Sequence, residues 1–99
     1  MFKKLDPLLH SELRLAVMSL LMNVLEADFT FIMKKTNSTS GNLSIQIDKL
    51  HKAKYIDVKK EFKDNKPKTT CFITEKGKEA FEEYVNVLTD YIKLNREDL

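Results

Sequence analysis

Ninety-nine residues, 42% of them hydrophobic, suffice for one small domain and leave no room for a second, catalytic or ligand-binding one. The net charge of +2 is unevenly laid out: residues 1–33 hold three basic and four acidic side chains, residues 34–68 ten and four, and residues 69–99 four and seven, so a middle of +6 lies between mildly acidic flanks. Cys71, the only cysteine, excludes an intrachain disulfide and fits a reduced cytoplasmic protein, while Asp6, His10, Glu12 and Arg14 interrupt any signal-peptide core and no stretch is apolar enough to span a bilayer.

Pro7 is tolerated in a first helical turn, and the run LLHSELRLAVMSLLMNVL predicts a first helix from Pro7 to about Leu25. Leu9, Leu13, Ala16, Leu20 and Val24 form its stripe. Leu8, Leu15, Met18 and Met22 fall on other faces that one small domain cannot cover, which calls for a partner surface. Asp28 or Thr30 caps a second helix reaching about Thr36, with Phe29 and Ile32 inward, and Asn37 suits the left-handed turn that follows. Thr39 is the next cap. Leu43, Ile47 and Leu50 then make the inward stripe of a third helix over 39–53, leaving Ser40, Asn42, Ser44, Gln46 and Lys49 outside.

After Tyr55 the period changes to two: Ile56, Val58 and Phe62 point one way, Asp57, Lys59 and Glu61 the other. Residues 63–66 supply turn chemistry and Thr69 to Ile73 the returning strand of a hairpin. Thr74 caps a final helix whose stripe is Phe81, Tyr84, Val85, Leu88, Tyr91 and Ile92, with Asn95 to Leu99 expected to fray. The chain is thus expected to be mainly α with a small β-hairpin, an α+β fold. No linker divides residues 1–99, so one domain is expected throughout.

Three helices, a hairpin and a further helix are the order of a winged helix-turn-helix, in which the third helix enters the major groove of duplex DNA. The residue types suit that task. Thr39, Ser40, Asn42, Ser44 and Gln46 offer hydroxyls and amides to base edges or phosphates, Gly41 allows close approach, and Lys49 adds a cation. Ile45 either meets a thymine methyl or packs on the second helix. Lys60, Lys63, Lys66 and Lys68, with Thr69, equip the wing, 59–70, for the phosphate backbone or a minor groove; the bland alternative is that lysines guard a sheet edge.

The string NLSIQIDKLHKAKYIDVKKEFKDNKPKTTCFITEKGKEAFEEY resembles the small one-domain winged helix-turn-helix regulators of the MarR and ArsR groups. The likeness spans about Leu5 to Leu88 and rests on NLS at 42–44, Leu50, Tyr55, Lys60, PKTT at 67–70 and TEKGKEAF at 74–81. It implies a transcriptional regulator that binds operator DNA as a homodimer through its first and last helices, 1–25 and 75–94. Leu8, Leu15, Met18, Met22, Leu88, Tyr91 and Ile92 are the candidate dimer contacts. The resemblance also leaves room for a small-molecule effector that no residue here names. The chain departs from the pattern at Lys54, where a glycine usually ends the recognition helix, at Ile45 and Gln46, often basic or histidine, and at Thr36 and Ser38, usually apolar.

An enzyme is disfavoured, because His10, His51 and Cys71 fall in no metal or nucleophile spacing; no catalytic residue, metal or cofactor is expected. Cys71 as a redox switch competes with the plainer reading of a small buried residue. The remaining rival is a protein-interaction module that keeps the winged fold and binds a partner protein through the apolar faces of its first and last helices.

Overall fold

Side-chain caps open three of the four helices of the computed structural model, which describes residues 2–93 and 97. The elements follow as α1 (Glu12–Val24), β1 (Glu26–Asp28), α2 (Phe29–Thr36), α3 (Ser40–Lys52), β2 (Ile56–Lys63), β3 (Lys66–Ile73) and α4 (Glu75–Ile92). Asp28 accepts from the Phe31 amide at 2.8 Å, Thr39 from Asn42 at 3.2 Å and Thr74 from Gly77 at 3.0 Å, each occupying a donor that a helix start leaves free. Asn37 takes the left-handed conformation (φ 52°) expected between α2 and α3.

The first helix starts later than its sequence predicts. Pro7 lies in a separate turn in which the Leu9 and His10 amides donate to the Asp6 carbonyl at 3.1 and 2.9 Å. The Leu8 carbonyl, which the Glu12 amide would need for a continuous helix, instead accepts from Arg14 Nε at 2.5 Å. The buried face also differs. Val17, Met18 and Leu21 are fully buried together with Leu9, whereas Leu13, Ala16 and Leu20 are half-buried and Val24 is exposed. A helix apolar on most faces does not reveal by its period which face turns inward. Met18, expected at a dimer contact, is therefore spent inside one chain.

The core joins Leu9, Met18 and Leu21 to Ile32, Leu43, Leu50, Ile56, Cys71 and Tyr84, with Phe29 packed against it. The sheet has the order β1-β3-β2, both pairings antiparallel. Strand β1 has no counterpart in the sequence reading, since three residues, Glu-Ala-Asp, carry no alternation; they join by backbone pairing, Glu26 opposite Phe72 and Asp28 opposite Thr70. The wing closes through Asp64 and Asn65, both at positive φ (53° and 60°), the pattern of the two-residue loop whose twist matches a hairpin.

Along α4 the buried positions are Gly77, Tyr84 and Val87, with Phe81 and Leu88 half-buried. Val85, Tyr91 and Ile92, expected on the inward stripe, are exposed, and Val87 is buried in place of Val85. The expected fraying of residues 95–99 lies, Glu97 apart, outside the described residues.

Candidate nucleic-acid interface

Leu43, Ile47 and Leu50 fasten α3 to the core, so its opposite face is open to solvent. Thr39, Ser40, Gly41, Asn42, Ser44, Ile45 and Lys49 are all exposed. A Cβ at Gly41 would meet nothing within 4 Å, so no contact inside the chain calls for glycine there. Ile45 is 56% exposed, which decides against packing on α2.

Gln46 is different. It is half-buried on the flank of α3 that faces α1, where Arg14 Nη1 donates to its Oε1 while its Nε2 donates to Asn42 Oδ1 at 2.9 Å. The residue expected to stand outside is tied on both ends of its amide. The sequence alone does not point to Arg14: it lies three and four residues before Val17 and Met18, and the period of an all-round apolar helix does not show that this face turns inward.

On the wing, alternation places Ile56, Val58, Lys60 and Phe62 on one face and Lys59, Glu61 and Lys63 on the other, with their β3 partners. Phe62 shares the face of Ile56 and Val58 as expected, yet it is 80% exposed because the hairpin outruns the core. Between α3 and the wing lies a groove of about 160 Å³ lined in part by Ser44, Asp48, His51, Lys60 and Thr69. At the tip, Lys63 and Lys66 stand directly opposite each other, both exposed. Like charges in that relation cost stability, so packing does not explain them. Lys59 pairs with Glu61 at 3.7 Å and Lys52 with Asp48 at 2.9 Å. Among the described residues, Lys49, Lys60, Lys63, Lys66 and Lys68 form no ion pair.

The joint of α3 and wing is rigidly made. Lys54 adopts φ 64° at the glycine-like position, and the Lys54 and Tyr55 amides donate to the His51 and Leu50 carbonyls at 2.9 and 3.0 Å, a Schellman closure. The Tyr55 hydroxyl donates to Asp6 Oδ2 at 2.5 Å. Burial first, then the hydrogen bond and charge of Asp6, push its pKa up to about 12. Thr74 Oγ1 donates to the Lys54 carbonyl at 2.7 Å, with the Tyr55 carbonyl at 3.0 Å. The Cys71 thiol is fully buried and burial pushes it up to about 11, which does not suit a redox switch. No group of three or more metal-binding side chains converges among the described residues, and no described helix is long and apolar enough to cross a membrane.

A capped helix held outward by a helix-turn-helix and flanked by a basic two-stranded wing defines a winged helix-turn-helix. The chain belongs to the family of winged helix DNA-binding domains, whose model matches residues 13–92. An uncharacterised protein of Methanocaldococcus jannaschii is 32% identical over 76 residues, covering 77% of this chain and 83% of that one. Among solved structures, a transcriptional regulator homologue from Pyrococcus horikoshii OT3 superposes with a TM-score of 0.79 at 29% identity, covering 88% of this chain and 89% of its own. A MepR-like protein crystallised with pseudoligands shares the fold, with a TM-score of 0.68 at 16% identity over 89% of this chain and 65% of that one.

Proposed function

We propose that this protein is a transcriptional regulator that binds operator duplex as a homodimer, with α3 in the major groove and the wing on the backbone or minor groove. The observation that carries this reading is the set of lysines without acidic partners, Lys49 on α3 and Lys60, Lys63, Lys66 and Lys68 on the wing, beside a helix whose exposed N-terminal half is all small, polar or apolar. Such cations, unneutralised within the chain, release counterions from DNA on contact. The groove between α3 and wing, with Ser44, His51, Lys60 and Thr69, and with its one carboxylate, Asp48, paired to Lys52 at 2.9 Å, suits the phosphate strand that separates the two grooves of the duplex. Thr39 and Ser40, at the start of α3, take phosphate through hydroxyls and helix amides.

The dimer reading is supported by apolar surface left at the ends of α1 and α4. Leu8, Leu15 and Leu88 are partly packed in one chain, Tyr91 stacks on Phe2 at 4.7 Å, and Met22 and Ile92 remain for a second copy, Ile92 at 73% exposure. Two copies place two recognition helices on paired half-sites.

Fluorescence anisotropy of a labelled duplex across salt concentrations tests the function. Affinity is expected to fall steeply, with a log–log slope of about −9 if the five lysines of each copy in the dimer all meet a phosphate, and about half that for a single bound copy. No binding at low salt sinks the regulator reading. A salt-insensitive partner protein captured through α1 and α4 would favour the interaction-module alternative.

A further inference from the structure

Three side chains from two helices form a relay that ends at the exposed start of α3. Arg14 on α1 is anchored by its Nε to the Leu8 carbonyl at 2.5 Å and gives Nη1 to Gln46 Oε1. Gln46 Nε2 donates to Asn42 Oδ1 at 2.9 Å. The direction of this relay is fixed by chemistry. A guanidinium has five donors and no acceptor, so the amide oxygen of Gln46 must face it and the NH₂ must face away. That NH₂ in turn needs an acceptor, so Asn42 turns its oxygen inward to Gln46 and its Nδ2 donors outward.

We infer that Arg14 and Gln46 are positioning residues that set Asn42 as a hydrogen-bond donor toward the duplex, selecting an acceptor-rich base edge, guanine, over adenine. This rests on the DNA-binding function proposed above. Asn42 is exposed in the first turn of α3, the part of a recognition helix that reaches base edges. An asparagine free to turn pairs with adenine by giving to N7 and accepting from N6, which uses its oxygen. Here the oxygen is turned in. What remains outward is an NH₂ with two donors, and guanine offers two adjacent acceptors, N7 and O6, in the major groove. Arg14 thereby bears on base choice from another helix, without a place on the reading face.

Selection of bound duplexes from a randomised pool, followed by competition between sites differing at one base pair, tests the assignment. The native protein is expected to require a guanine at one position per half-site, with adenine there weaker by about tenfold or more. Gln46→Glu keeps its bond to Arg14 and replaces the donor by an acceptor, so Asn42 turns over, presents its oxygen, and the preference passes to a base bearing a donor, adenine or cytosine. The ratio is taken within one variant, so the added negative charge cancels. Arg14→Met frees Gln46 and brings guanine and adenine near parity without reversing them. Selection of a site with no guanine dependence, or an unchanged guanine preference in Gln46→Glu, overturns the relay and leaves DNA binding standing. Failure of the native protein to prefer any duplex at low salt overturns both.

Discussion

The root and the tip of the hairpin are made from the same two strands and differ in almost every physical respect. At the root, the Tyr55 hydroxyl is held by Asp6, its carbonyl accepts from the Thr74 amide at 3.1 Å, and Gly77 is packed so closely that a Cβ would lie 2.1 Å from the Tyr55 oxygen. At the tip, Lys63 opposes Lys66, two successive residues hold positive φ, and Phe62 is bare. Satisfied groups accumulate where the wing is attached, and uncompensated ones where it would meet a duplex. Like charges face to face cost stability, so packing within the chain does not account for the tip, whereas contact with a duplex, as proposed above, would.

The sharpest way to test the root is to give Gly77 a side chain. Gly77→Ala gains about 1 kcal/mol of helix propensity. It also drives a methyl into backbone atoms of Tyr55, at 2.1 and 2.9 Å, that have no rotamer to escape by. The clash is the larger effect, and a net loss of about 2 to 3 kcal/mol in chemical denaturation is expected. A variant as stable as the native chain would show that α4 is not locked to the hairpin root.

The tip should behave in the opposite way. Replacing Lys63 and Lys66 together by alanine is expected to leave stability unchanged or raise it by a few tenths of a kcal/mol, since a repulsion is removed. Duplex affinity should fall by at least about tenfold and the salt slope should shrink by about 4, roughly one for each of the four phosphates, two per copy of the dimer, that no longer meet a lysine. If the double variant is destabilised and binds DNA as before, the contrast between root and tip collapses.

Much of this contrast was legible in the sequence, for definable reasons. Thr39 and Thr74 announce helix starts through local cap chemistry, and the change from the helical period to period two after Tyr55 marks the hairpin without any tertiary information. What the sequence does not show depends on contacts between distant segments. Strand β1 is defined by its pairing with the edge of β3, and α1 begins only after the extended Ser11, with the Leu8 carbonyl bonded to Arg14. The same holds at the reading face. Asn42 and Ser44 stand exposed where a polar, capped helix predicts, whereas helical period alone places Gln46 outside and says nothing of a partner on α1. Lys54 shows the reverse case: a departure from a family glycine that takes the left-handed turn nonetheless, closed by the His51 and Leu50 carbonyls.

The smallest effect separates root from tip by pH. Tyr55 is raised from 10.0 to about 12 in the folded chain, by burial and by Asp6. Between those values the unfolded chain has lost the phenolic proton while the folded chain keeps it, so the folded state binds more protons and stability falls as pH rises. The contribution is fully present below pH 10 and is lost on the way to pH 12. Tyr55→Phe is expected to cost about 1 kcal/mol at neutral pH through the missing bond to Asp6, and to flatten the decline over that window. Cys71, raised from 9.0 to about 11, declines over an overlapping range, but it is common to both proteins and drops out of the difference. Denaturation midpoints of the two proteins across this range therefore isolate the root; a decline equally steep in Tyr55→Phe would mean that burial and Asp6 do not hold the Tyr55 proton in the folded chain, and the Lys63 and Lys66 variant provides the control in which the native slope should persist.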